Sequence, residues 1–119
     1  MGCGIRGMRR RTTNANINFI PAGRMFISDD RIDVSAVFHD IRMGRRRRKL
    51  YLVTLSPRDG ELFVIYSCRE LLLPFYDGKS FVVCGVGKGF RRTLELLEQM
   101  IMAVYKDTDH FDVEHYFLP

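Results

Sequence analysis

The chain has 119 residues, a net charge of +5 and 46% apolar residues. This combination fits one folded domain that buries its own core, and it excludes a disordered protein. No apolar run approaches the roughly 20 residues that span a bilayer, so we expect no membrane partner and a cytoplasmic location. The three cysteines, Cys3, Cys68 and Cys84, show no C-x-x-C spacing, which predicts neither a disulfide framework nor a zinc site.

The positive charge is concentrated in two short runs. Four arginines lie between positions 6 and 11 and five basic residues between 45 and 49, so the other ten Lys and Arg face fourteen Asp and Glu. The body of the domain is therefore mildly acidic, and attraction to a polyanion must come from the two runs. We expect residues 1–16 to form a flexible basic tail and residues 17–119 to form a single α+β domain.

The first half of the chain shows extended patterns separated by turn signals. Residues 16–20 and 24–28 read as short strands on either side of a Pro-Ala-Gly turn at 21–23. Residues 32–43 alternate in part, with Ile32, Val34, Ala36 and Phe38 on one side. This alternation predicts a longer strand with a bulge near Val37.

Two further strands are predicted at 49–55 and 61–67, joined by a Ser-Pro-Arg-Asp-Gly turn. The arginine run before the first of them then forms the tip of a β-hairpin that projects into solvent. Both faces of the two strands are apolar, which indicates that the sheet is covered on both sides. Since one long helix covers only one face, we expect residues 17–28 and 69–76, or a partner copy in a homodimer, to cover the other.

The second half begins with a strand at 81–84, a glycine-rich turn and the only long helical pattern in the chain. Apolar residues at steps of four and three predict the stripe that faces the sheet: Phe90, Leu94, Leu97, Ile101 and Val104, widened by Leu96, Met100 and Ala103. Alternation over 111–117 predicts a last strand. The whole pattern indicates an α+β fold, a mostly antiparallel sheet of about five or six strands packed on one long helix, in the order strands, helix, strand.

The glycine-rich segment Gly85-Val86-Gly87-Lys88-Gly89 departs from both common phosphate-binding motifs. Phe90 stands where a dinucleotide fingerprint requires glycine, and Gly89 stands where a phosphate loop requires Ser or Thr. We expect the glycines to permit a sharp turn and a close approach of the helix to the sheet. The helix start also offers free N–H groups beside basic side chains, which predicts an anion site at Gly87, Lys88, Gly89, Arg91 and Arg92.

Signatures of catalysis are scarce. No nucleophile motif accompanies His39-Asp40, and the acidic, histidine-containing stretch at 107–115 lies around a predicted turn. We therefore predict no catalytic residue, cofactor or metal, and favour a non-enzymatic binding module that forms a homodimer. One alternative is a nucleic-acid-binding protein that uses the hairpin tip and the tail, and another is an enzyme for a small anionic substrate near Gly85–Arg92. The nucleic-acid contacts would be Arg9, Arg10, Arg11, Arg45, Arg46, Arg47, Arg48 and Lys49.

Overall fold

A computed structural model describes residues 16–45, 47–56, 61–108 and 116–117. Within these described ranges it contains two α-helices, four strands and two short 3-10 helices, Glu70–Leu72 and Pro74–Tyr76, the latter called 3-10 turns below. No helix in the described residues has the length and apolar character to cross a bilayer. The elements in chain order are β1 (Asn18–Ile27), α1 (Val34–Arg42), β2 (Leu50–Leu55), β3 (Phe63–Ser67), β4 (Ser80–Lys88) and α2 (Phe90–Thr108).

The strands form one mixed sheet in the order β1-β4-β2-β3. β4 runs parallel to β1 and antiparallel to β2, and β2 is antiparallel to β3. The α+β class is confirmed, but the described chain has four strands and a parallel pair where about five or six mostly antiparallel strands are predicted. β1 also continues through the predicted turn, because it is an edge strand in which Pro21 needs no ladder donor.

The prediction of a strand over residues 32–43 is wrong, because α1 occupies this segment. The Asp33 carboxylate accepts a hydrogen bond from the Ala36 N–H at 3.2 Å and caps the helix. Val37, Phe38 and Ile41 are buried, which is the spacing of a helical face and not of a strand. The arginine run is consequently the connection from α1 to β2, and the prediction of a hairpin tip is wrong as well.

Both faces of the central strand β2 are buried, as the apolar pattern predicts. On one face, Leu52 packs with Ile41 of α1 and Leu71 of the first 3-10 turn. On the other, Val53 packs with Leu96 and Met100 of α2. The chain therefore covers the sheet itself: residues 70–72 contribute as expected, α1 supplies the rest, and residues 18–27 belong to the sheet. A partner copy is not required for this purpose.

The helix α2 is confirmed, but its buried face is rotated away from the centre of the predicted stripe: Leu96, Met100 and Val104 belong to the prediction, and Thr93 does not. The side chains buried against the sheet are those of Thr93, Leu96, Met100 and Val104, whereas Phe90 is 52% exposed and Leu94 43% exposed. The glycines explain this rotation. Gly85 and Gly87 lie within β4 beneath the helix, and a Cβ on Gly85 would stand 3.1 Å from Met100 Sδ.

The glycine segment is thus mostly strand and not a turn. Only Gly89, with a φ of +89°, turns the chain into α2. The expected close approach of helix to sheet occurs at Gly87, where a Cβ would overlap the Thr93 hydroxyl.

The predicted last strand falls largely on residues 109–115, which lie outside the described residues. Tyr116 and Phe117 are described, and their backbone is helical instead of extended. The Phe117 ring packs edge-on against Phe26 and Phe63, with centroid distances of 5.9 and 5.6 Å. Residues 1–15 also lie outside the described part, so the division into tail and domain stays a prediction.

Candidate polyanion-binding site

One end of the sheet gathers basic residues from all four strands. Because β1, β3 and β4 end there while β2 begins there, the segments next to these termini become neighbours. Arg31 follows β1, Arg69 follows β3, residues 47–49 precede β2, and Lys88 closes β4. We call this surface the basic end and define it as Arg31, Arg47, Arg48, Lys49, Arg69, Lys88 and Arg92.

Hydrogen bonds donated by backbone N–H groups hold the segments of the basic end together. The Gly89 N–H donates to the Lys49 carbonyl at 2.5 Å, and the Lys88 N–H donates to Ser28 Oγ at 2.9 Å. Lys49 has a φ of +64°, a left-handed conformation that costs a lysine about 1 to 2 kcal/mol. The two basic regions that are separate in the sequence, 45–49 and 87–92, are therefore in direct contact.

Two adjoining clefts open on this surface. The smaller has a volume of about 440 Å³ and is lined by six basic residues of the basic end, Arg31, Arg47, Arg48, Lys49, Lys88 and Arg92, against one carboxylate, that of Asp29. The larger, of about 670 Å³, shares the wall formed by residues 47–50 and continues past Tyr51 to Arg69, Glu70 and Leu73. Together they form one track along the end of the sheet.

Two aspartates neutralise part of this charge. Asp40 of α1 accepts hydrogen bonds from Arg47 Nη1 at 2.6 Å and Arg45 Nη1 at 3.3 Å. These bonds, the one from Arg47 above all, lower the pKa of Asp40 below its usual value. The pKa of Asp29 is also lowered, mainly because its carboxylate accepts the backbone N–H of Arg31. Both aspartates are therefore ionised at neutral pH.

Five cations of the basic end remain without an ion pair among the described residues: Arg48, Lys49, Arg69, Lys88 and Arg92. All five are exposed. The start of α2 adds to the positive potential, since Gly89 has no side chain to cap the helix and the first turn holds no acidic residue. A helix N-terminus carries partial positive charge and attracts anions.

The fold separates the predicted anion-site residues. Lys88, Gly89 and Arg92 line the smaller cleft. Gly87 is buried under Thr93, and Arg91 lies on another side of α2, in a groove with Leu94, Leu97 and Ile101.

The predicted nucleic-acid contacts divide in the same way. Arg47, Arg48 and Lys49 line both clefts, and Arg45 is held by Asp40. Arg9, Arg10, Arg11 and Arg46 lie outside the described residues. Sequence reasoning missed Arg31 and Arg69, because each is an isolated arginine whose position becomes informative only once the sheet order is known.

The residues that line the two clefts supply positive charge but few side chains of the kinds that act as nucleophiles, general bases or metal ligands. No histidine or cysteine lines either cleft. The thiols of Cys68 and Cys84 are buried, which raises the pKa of each to about 12 and keeps both protonated. Within the described ranges no group of three or more His, Cys, Asp or Glu is placed to hold a metal ion.

Comparison with known proteins leaves the site to be interpreted on its own geometry: no family model, no curated protein and no solved structure gives a significant match to this chain.

Proposed function

We propose that this protein binds single-stranded nucleic acid, through its phosphates, at the basic end of the sheet. The observation that supports the proposal is the convergence of basic residues from four strand termini on one track. Neighbouring strands are separated by about 4.8 Å, so the track from the end of β3 to the end of β1 is about 15 Å wide. This width suits a row of phosphates better than a single anion.

The contacts are electrostatic and independent of base sequence. Exposed Lys and Arg side chains without carboxylate partners lose no protein ion pair when they bind phosphates. Their binding also releases counterions from the nucleic acid. With five such cations, the slope of log K against log salt is about −3.5 for a single strand, at about 0.7 per phosphate contact. Affinity should then fall about 130-fold as salt rises from about 50 to about 200 mM.

Fluorescence anisotropy with a labelled oligothymidine and a labelled oligouridine tests this proposal. The variants Arg48→Gln/Lys49→Gln and Lys88→Gln/Arg92→Gln each remove two cations, and each should weaken binding about 25-fold at about 0.1 M salt. Lys79→Gln/Lys106→Gln is the matched control, since it causes the same change in net charge.

The control positions lie away from the basic end. Lys79 precedes β4 at the opposite end of the sheet, and Lys106 is in the last turn of α2. If both site variants bound as tightly as the control, the basic end would not be the binding surface and the proposal would fail.

The alternative of an enzyme for a small anionic substrate is consistent with the smaller cleft. It is less favoured, because the one carboxylate lining that cleft, Asp29, is ionised and bonded to Arg31. The same anisotropy assay separates the two ideas: displacement of the oligonucleotide by millimolar inorganic phosphate at constant ionic strength favours the small-anion site. Retention of the oligonucleotide favours the extended track.

A further inference from the structure

The outer side of α2 carries an apolar stripe that the core uses only in part. Phe90, Leu94, Leu97 and Ile101 follow one another at steps of four, three and four, the spacing of a helix-pairing seam. Phe90 is 52% exposed and Leu94 is 43% exposed, while Leu97 and Ile101 are half-buried. This stripe lies beside the face that packs on the sheet. Leu97 packs against the core cluster beneath α2, and the Phe90 ring lies edge-on to Tyr51 at a centroid distance of 5.5 Å. A large part of the Phe90 and Leu94 side chains is nevertheless left exposed by the described residues.

Charged residues of opposite sign lie along the stripe, a cation near one end and carboxylates further along, so that two copies of this face in antiparallel orientation match each other. A groove of about 360 Å³ follows it and is lined by Arg91 near one end and by Glu95 and Glu98 further along. Arg91, Glu95 and Glu98 are all exposed, and among the described residues Arg91 and Glu98 have no ion pair. A partner that matches this face must present an apolar seam with a carboxylate near Arg91 and a cation near Glu98.

We infer that the occupant is a second copy of this chain, paired through α2 in antiparallel orientation. A two-fold axis near residues 95 and 96 brings Leu94 against the partner's Leu97 and Phe90 against the partner's Ile101. It also places Arg91 next to the partner's Glu98, and this pair occurs twice. A parallel pair would instead place Arg91 at the level of the partner's Arg91 and Glu98 at the level of the partner's Glu98, so that like charges face each other.

The dimer is independent of the proposed nucleic-acid binding, although it has a consequence for it. With a rise of 1.5 Å per residue, the two helix starts lie about 17 Å apart along the pair, one at each end of the paired segment. A single helix pair is a small interface, and we expect a dissociation constant of about 1 to 100 µM.

Sedimentation equilibrium over about 1 to 200 µM, without nucleic acid, tests the inference. The wild-type chain should dimerise, and Leu94→Glu should be monomeric throughout this range. Gln99→Glu, at an exposed position on the other side of the same helix, is the matched control and should dimerise as the wild type does. Circular dichroism and the melting temperature show whether each variant is folded.

Charge reversal tests the orientation. Arg91→Glu and Glu98→Arg should each weaken the dimer about tenfold, because each creates two like-charged contacts. Arg91→Glu/Glu98→Arg should restore the affinity, since it only exchanges the signs. A wild-type chain that is monomeric at 200 µM, or a double variant as weak as the single ones, would overturn the inference.

Discussion

Gly87→Ala is expected to destabilise the protein by displacing the start of α2. The added Cβ would overlap the Thr93 hydroxyl and stand 3.0 Å from both Cα and Cβ of Thr93. Thr93 has no room to retreat, because it is fully buried and its hydroxyl donates to the Gly89 carbonyl at 2.8 Å. Either the first turn of α2 moves outwards or this hydrogen bond breaks.

The size of the destabilisation by Gly87→Ala is the balance of two unfavourable contributions and one favourable contribution to the free energy of unfolding. Overpacking a filled site costs about 1 to 3 kcal/mol and the loss of the hydrogen bond about 1 kcal/mol. Alanine restricts the unfolded chain more than glycine does, which returns about 0.4 to 1 kcal/mol. We therefore expect the free energy of unfolding to fall by about 1 to 3.5 kcal/mol, measured by urea titration with circular dichroism.

Gly78→Ala is the control, because Gly78 has a φ of +79° but no atom near its missing Cβ. Its cost is backbone strain alone, about 1 kcal/mol. A double-mutant cycle of Gly87→Ala with Thr93→Ala should show favourable coupling, since Thr93→Ala removes the overlapping hydroxyl. If Gly87→Ala cost no more than Gly78→Ala and showed no coupling, the close approach of α2 to β4 would not be what requires glycine here.

Two further predictions concern titrating groups. Asp40→Asn should lower the free energy of unfolding by about 0.5 to 1 kcal/mol at pH 7, because a neutral amide replaces the carboxylate that accepts hydrogen bonds from Arg45 and Arg47. The pKa of Asp40 is lowered in the folded state, so this difference should be complete above the ordinary value of 3.8 and shrink as pH falls below it. An equal difference at pH 7 and pH 2 would contradict the assignment. In a Cys3→Ser background, Cys68 and Cys84, each with a pKa raised to about 12 by burial, should react with a thiol reagent at pH 8 only after unfolding. Rapid reaction of either thiol in the native protein would refute their burial.

Secondary-structure elements with one clear periodicity of apolar residues could be predicted from the sequence. A segment in which strand-like and helix-like periodicities coexist could not. β2 and β3 have strongly apolar residues on both faces, and α2 has an apolar period too long for anything but a helix. In residues 32–43 the alternation of Ile32, Val34 and Ala36 competes with the helical spacing of Val37 and Ile41. The Asp33 cap decides between them, and a capping aspartate looks like any turn residue in the sequence.

The prediction of the buried face of α2 was correct only in part, for a related reason. Phe90, Leu94, Leu97 and Ile101 form the more apolar stripe, and a single helix beside a sheet is expected to bury it. Instead, the missing side chains of Gly85 and Gly87 leave space on β4 that Met100 and Thr93 fill. The face that α2 buries therefore depends on its fit to this strand and not on hydrophobicity alone. Phe90 and Leu94 of the more apolar stripe are then left largely exposed.

The basic end is the part of the site that the sequence shows least clearly. The runs at 45–49 and 87–92 are each visible, but about 40 residues separate them. Only the antiparallel pairing of β2 with β4 makes them adjacent. Parallel pairing of β1 with β4 adds Arg31, because it brings the end of β1 to the same edge.

The most direct test of the central claim is the slope of log K against log salt for a labelled single strand, compared between variants. If one bound strand contacts both basic segments, Arg48→Gln/Lys49→Gln and Lys88→Gln/Arg92→Gln should each reduce the slope by about 1.4. The quadruple variant should then keep a slope of only about −0.7, from Arg69, while Lys79→Gln/Lys106→Gln keeps the wild-type slope. A quadruple variant whose slope and affinity equal those of this control would contradict the account.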